Sequence, residues 1–178
     1  MRHKKRFHVT MRNPWIYEFG SHFMPIPTLK KRPLSEEVLS QHPLVIIPIG
    51  VTASGKSTWA QQMQKKYSTL NMAIIPTPEA SVRNQAEWLS ALKAARHHAV
   101  MILDGKNLED AQLREDLQTL KGLGILDVVI QYFPPESLFV LLTRNKGIGG
   151  EQIRHELQMI HSQAHYLDLL ESAGYADA

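Results

Sequence analysis

The stretch Gly50-Val51-Thr52-Ala53-Ser54-Gly55-Lys56-Ser57 constrains this chain more than any other. It fits G-x-x-x-x-G-K-[ST] in full. It lies between an apolar run, Leu44 to Ile49, and a segment with Trp59, Met63 and Tyr67 at helical spacing. The glycines let successive backbone N–H groups turn inward around a phosphate chain, and a helix starting there adds the positive end of its dipole. Lys56 is then expected to reach the β- and γ-phosphates, and the Ser57 hydroxyl to ligate Mg²⁺. The set Gly50, Thr52, Ala53, Ser54, Gly55, Lys56, Ser57 and Thr58 is expected to hold a nucleotide, ATP or another NTP. Pro48 removes a ladder donor from a strand expected to be central, so some local adjustment should precede the loop.

Beyond the loop the pattern alternates. Strands are expected at Met72 to Ile75, Ala99 to Leu103 and Asp127 to Phe133. Between them comes a helix at about Ser81 to His97 with Val82, Ala86, Leu89 and Leu92 inward. Another runs from Asn107 as N-cap to Gly122 as its left-handed C′ residue. Two more follow, about Pro135 to Asn145 and Glu151 to Glu171, the last with Ile153, Leu157, Ile160, Ala164 and Leu167 on one face. The expected class is α/β: a P-loop NTPase fold with a parallel sheet of about four strands, covered by helices on both faces. Val100 to Leu103 ends in Asp104, whose carboxylate would face Mg²⁺ or its water shell, or would cap the following helix.

Composition narrows the class further. The chain has 178 residues and no cysteine, so thiol redox chemistry and Cys-ligated zinc are excluded. No apolar run approaches the roughly 20 residues of a membrane span, and no apolar stretch follows the basic start as a secretory signal requires. A cytoplasmic protein is the expectation. The net charge of +3 is unevenly placed: residues 1 to 40 hold eight Lys or Arg against three acids, +5, and the remainder twelve against fourteen, −2. The division is a basic arm, residues 1–41, with a possible small hairpin over Phe7 to Met11 and Trp15 to Phe19 and a short helix near Ser35 to Gln41. A P-loop domain, residues 42–178, follows. The arm reads as a nucleic-acid contact or as a solubilising tail. Its Phe7, Trp15, Tyr17 and Phe19, interleaved with Arg6 and Arg12, could stack on bases or pack the arm onto the sheet or a neighbouring subunit. His161 and His165 are four apart, but with no third ligand evident they read as a solvated helix face.

Asp104-Gly105-Lys106-Asn107-Leu108, the strand Val128 to Phe133, and Leu141-Leu142-Thr143-Arg144-Asn145 resemble the kinase module of polynucleotide 5′-hydroxyl kinases and related small, zeta-toxin-like P-loop kinases. That pattern is an aspartate, Thr-Asn-Leu after the third strand, and Arg-Asn entering a lid after the fourth. The resemblance covers roughly residues 44 to 165 and implies phosphate and metal roles for Lys56, Ser57 and Asp104, with Arg144 at the lid entrance. Such a lid sets cations over the transferring phosphate. The sequence also departs from the pattern. Lys146-Gly147-Ile148-Gly149-Gly150 is short, with Lys146 its only cation, where the family usually has a further Arg. On the acceptor side the family has an Asp base and an Arg a few residues later; here Glu79 and Arg83 are the charged candidates. Glu79 reads as base or as a helix-start residue.

The expected activity is Mg-ATP-dependent phosphoryl transfer to a hydroxyl, a nucleic-acid 5′ end first, with Lys56, Glu79, Arg83, Arg144 and Lys146 as catalytic residues. The alternatives are a kinase of a nucleoside or nucleotide, or an NTP-binding or NTP-hydrolysing switch or adaptor with no acceptor.

Overall fold

Each of the four apolar runs forms a strand, and all pair in parallel: β1 (Leu44–Ile49), β2 (Met72–Pro76), β3 (Val100–Asp104) and β4 (Asp127–Tyr132), in the order β2-β3-β1-β4. The structure, a computed structural model, describes residues 43–79 and 81–175. The basic arm, with its expected hairpin and the helix near residue 38, lies outside the described residues. Helices alternate with the strands as α1 (Lys56–Lys66), α2 (Gln85–Ala95) and α3 (Asp110–Gly122), and α4 (Leu138–Arg144), α5 (Gly150–Met159) and α6 (Gln163–Ser172) follow β4.

The sheet is covered on both faces, which is why β1 is buried at every position. Val45, Ile47 and Ile49 of β1 share a core with Met101, Leu103 and Ile130, and with Trp88 and Leu92 of α2, Leu113 and Leu117 of α3, and Leu169 of α6. The alternate positions Ile46, Val100 and Ile102 lie outside that cluster and are buried on the face where Trp59, Ala60 and Met63 of α1 pack against β2 and β3.

Register explains why Pro48 is tolerated. The β1–β3 ladder ends at Ile46 opposite Ile102, whereas β1–β4 pairing continues to Ile49 opposite Tyr132. On the side where β3 has stopped, the buried Asn107 amide donates to Pro48 O at 2.7 Å and to Leu103 O at 3.1 Å. A residue's N–H and C=O point to the same side of a strand, so the donor that proline lacks has no ladder partner to lose.

This use of Asn107 corrects the expectation that it caps α3. Asn107 is left-handed (φ 54°), and α3 begins three residues later with Glu109 at its N-cap position. Gly122 is the last helical residue rather than C′. That place belongs to Gly124 (φ 75°), whose N–H reaches Lys121 O while Ile125 N–H reaches Leu120 O, a Schellman closure with Ile125 and Leu120 both buried. Helix α2 starts at Gln85, because Asn84 Oδ1 accepts the Glu87 N–H, and turns Trp88, Leu92 and Ala95 inward. Val82 is 75% exposed and Ala86 is exposed as well.

The helix expected over 151–171 is two helices. Ile160 is extended, Ser162 caps α6 by accepting the His165 N–H, and the backbone freed at the break is taken up by tyrosines. His161 N–H donates to Tyr166 Oη at 3.2 Å, and Tyr132 Oη donates to His161 O at 2.9 Å. The inward face accordingly changes phase, from Ile153 in α5 to Tyr166, Leu169 and Leu170 in α6, leaving Ala164 exposed.

Candidate functional site

The loop of residues 50–55 leaves the C-terminal end of β1 and enters α1 through two left-handed residues, Ala53 (φ 64°) and Gly55 (φ 95°). Gly50 is required by crowding: a Cβ there would stand 2.8 Å from both Phe133 Cβ and Ser54 Oγ. Helix α1 has no side-chain cap and no acid in its first turn, and its hydrogen bonding begins with Trp59 N–H to Gly55 O. The preceding N–H groups and the helix dipole thus face the loop, the arrangement an anion needs.

Asp104, at the end of β3, lies on the same face of the sheet as Ile102 and meets the start of α1. Ser57 Oγ donates to Asp104 Oδ1 at 3.0 Å. A hydroxyl and a carboxylate beside a phosphate-shaped loop are oxygen donors of the kind Mg²⁺ takes while keeping several waters, so these residues fit that ion.

Lys56 is folded into the loop, 7% exposed, with Nζ 2.7 Å from both Gly50 O and Val51 O and 3.2 Å from Ser54 Oγ. Burial pushes its ammonium down to about 8, against the opposing pull of Glu156 and Asp104 and with some help from Lys106.

Sequence reasoning passed over two residues that meet at this loop. Glu156 of α5, 3% exposed, accepts the Thr52 N–H at 2.6 Å and the Thr52 hydroxyl at 2.9 Å. Gln152 Nε2 donates to it at 3.0 Å and Lys106 Nζ at 2.7 Å, and the same ammonium is ion-paired with Glu79. Burial alone would raise the Glu156 carboxyl, but the bonds from Lys106 and Thr52 outweigh it and hold the group below the ordinary carboxylate range. Burial would lower Lys106, and the bonds to Glu156 and Glu79 outweigh that, so the net direction is up. The Thr52 N–H and hydroxyl, both on this loop, thus already hold an anionic oxygen group, the Glu156 carboxylate. A cavity of about 240 Å³ adjoins this chain of charges, lined among others by Glu79, Lys106, Glu109, Gln152, His155 and Glu156.

The remaining sequence candidates are placed apart. Arg83 is bidentate to Asp116 of α3, at 2.5 and 3.1 Å, with both side chains 3% exposed, and its guanidinium stacks on Trp88 at 4.3 Å. Arg144 forms a bidentate pair with Glu136 at 2.6 and 3.1 Å on the exposed end of α4. Lys146 is exposed and left-handed (φ 53°) in the turn before α5. Glu79 is the one member of this acceptor and lid set that lines the cavity.

A parallel sheet whose central strand runs into a glycine-bounded anion loop, with a Ser–Asp oxygen pair at its far end, defines a P-loop α/β domain. Among solved structures the chain is similar to a fungal RNA kinase, with 18% identity and a TM-score of 0.48 over 67% of this chain and 34% of that one. It therefore spans about a third of that structure's length. No family model and no curated protein matches the sequence. No helix of the described residues is long and apolar enough to cross a membrane.

Proposed function

We propose that the chain is a Mg-ATP-dependent phosphotransferase that moves the γ-phosphate to a hydroxyl, with a nucleic-acid 5′ end as acceptor. The Ser57–Asp104 contact at 3.0 Å beside the loop that buries Lys56 carries this reading. Ser57 and Asp104 would hold Mg²⁺, which when bound would supply positive charge to offset that of the phosphates. Lys56 turns from the loop carbonyls to phosphate, and the N–H groups of the loop fix the phosphate chain in line. Glu79, ion-paired with Lys106, takes the proton of the attacking hydroxyl as its oxygen bonds to the γ-phosphorus and the bond to the bridging β-phosphate oxygen breaks, releasing ADP. Arg144 and Lys146 are the cations of the lid. The basic arm supplies phosphate contacts to the acceptor strand.

A small acceptor is a second reading with its own observation: the cavity beside Glu79 sets three carboxylates, Glu79, Glu109 and Glu156, against Lys106, a balance that disfavours a polyanion. Incubation with γ-labelled ATP and 5′-hydroxyl RNA, 5′-hydroxyl DNA or free nucleosides separates the readings. Label on an oligonucleotide supports the first and label on a nucleoside the second; ATP bound with no label transferred points to a switch module. Glu79→Gln should lower turnover about 10²- to 10⁴-fold at unchanged ATP affinity. An unaltered rate would leave Glu79 as no more than the ion-pair partner of Lys106.

Lys56 also predicts a pH dependence. Its ammonium loses its proton near pH 8 in the free protein, so ATP affinity should fall as pH rises above about 8, by up to about tenfold per unit. Titration calorimetry from pH 7 to 10 reads this directly, and a flat profile would contradict the lowered Lys56.

A further inference from the structure

The two histidines four apart in sequence gain a third partner in the fold. Asp110, the first residue of α3, brings its carboxylate to His165 Nε2, at 2.8 and 3.0 Å from the two oxygens. The break before α6 sets the His161 ring beside that of His165, with centroids 4.2 Å apart and planes 42° from parallel. One ligand atom from each of Asp110, His161 and His165 lies within 4.8 Å of the others.

The framework beneath them is fixed. His161 is held through its backbone by the hydroxyls of Tyr132 and Tyr166. The fully buried Tyr166 packs edge-on to the His165 ring at 5.4 Å and reaches Leu108 O, two residues before Asp110. His165 and Asp110 are each about a third exposed, at 36% and 37%, and His161 is exposed, so water can complete a coordination shell.

We propose that Asp110, His161 and His165 form a site for a borderline divalent transition metal, Zn²⁺ first, with solvent in the open position. Two imidazoles and one carboxylate match three-ligand zinc sites, and nitrogen donors favour Zn²⁺, Co²⁺ or Ni²⁺ over the hard Mg²⁺ suited to Ser57 and Asp104. Zinc bonds of 2.0–2.2 Å set ligand atoms about 3.3 Å apart in a tetrahedron, so the Asp110–His165 contact opens by roughly half an ångström on binding. The bound metal staples the α5–α6 break to the start of α3. Leu108, Glu109 and Met159, which flank the two ligand segments, line the cavity beside Glu79, so occupancy stiffens one wall of that cavity.

The test is calorimetric titration of the full chain with ZnCl₂ in a buffer free of chelators, paired with thermal melts. Wild type should show a 1:1 site whose occupancy raises the melting temperature. His161→Ala, His165→Ala and Asp110→Asn should each weaken it at least tenfold, whereas the His97→Ala/His98→Ala double variant should not. Melts without metal show that each variant is folded. Equal Zn²⁺ affinity in wild type and the His161→Ala/His165→Ala variant would overturn the proposal, as would a wild-type titration with no 1:1 site. Neither readout depends on phosphate transfer, so the outcome stands apart from that of the proposed activity.

Discussion

Lys56→Met should remove phosphate transfer, by at least about 10²- to 10³-fold in turnover, while leaving the domain as stable as wild type or more so. The two halves of this result have one cause. Below pH 8 the folded domain carries a charged lysine whose pKa is lowered from 10.5 to about 8, which costs folding roughly 3 kcal/mol relative to an exposed lysine. The lowered value means that the unfolded chain binds the proton more tightly, so this contribution to stability is recovered as pH climbs from about 8 to 10.5. Methionine keeps much of the stem's volume and removes the charge. It also leaves Gly50 O and Val51 O without their donor, which offsets part of the gain. A group kept at a cost to the fold is kept for something the fold does not need. Melting curves and a labelled-ATP assay on the same preparation check both halves, and a Lys56→Met protein that transfers phosphate at the wild-type rate would remove Lys56 from the mechanism.

What could be read from the chain follows the range of the interactions involved. The strands were legible because a parallel strand buried on both faces is an uninterrupted apolar run, as Leu44–Ile49 and Val100–Leu103 are. The Ser57–Asp104 meeting was legible because a loop motif and a strand-end acid are each local signals and the sheet order brings them together. Phase was harder. Val82 and Ala86 fit a helical stripe as well as Trp88 and Ala95 do, and the signal that decides, Asn84 as cap with Glu87 three residues on, lies inside the stretch read as helix. The break at 160–162 depends on hydroxyls from Tyr132 and Tyr166, and only Ser162 announces it locally.

Contacts between distant residues left no local trace. Glu156 meets Thr52 across 104 positions and Asp110 meets His165 across 55, and nothing in the neighbourhood of either pair distinguishes it from a solvated helix face. Lys106 lies between Asp104 and Asn107 in the sequence, but its role depends on Glu79 and Glu156 being there to receive it.

Asp116→Ala should destabilise the domain by about 3–5 kcal/mol, a large part of the 5–15 kcal/mol typical of a domain. The Arg83 guanidinium has Asp116 on its fork, Trp88 beneath its plane and Pro78 O on Nε at 3.1 Å, with 3% of the side chain exposed. Removing the carboxylate leaves a cation with one carbonyl and a ring for company where water cannot reach it. The pair itself need not stabilise, because desolvating two ions offsets most of their attraction, so Arg83→Met/Asp116→Leu should recover most of the loss. Urea unfolding of the single and double variants measures both effects, and a loss under 1 kcal/mol for Asp116→Ala would mean that the pair is solvated. The double variant also decides what Arg83 does in transfer. If it folds like wild type and phosphorylates its acceptor at the wild-type rate, Arg83 anchors α2 to α3 and the acceptor is held by other groups. If it folds but the acceptor's KM rises with kcat unchanged, the guanidinium leaves Asp116 for an acceptor phosphate during the reaction.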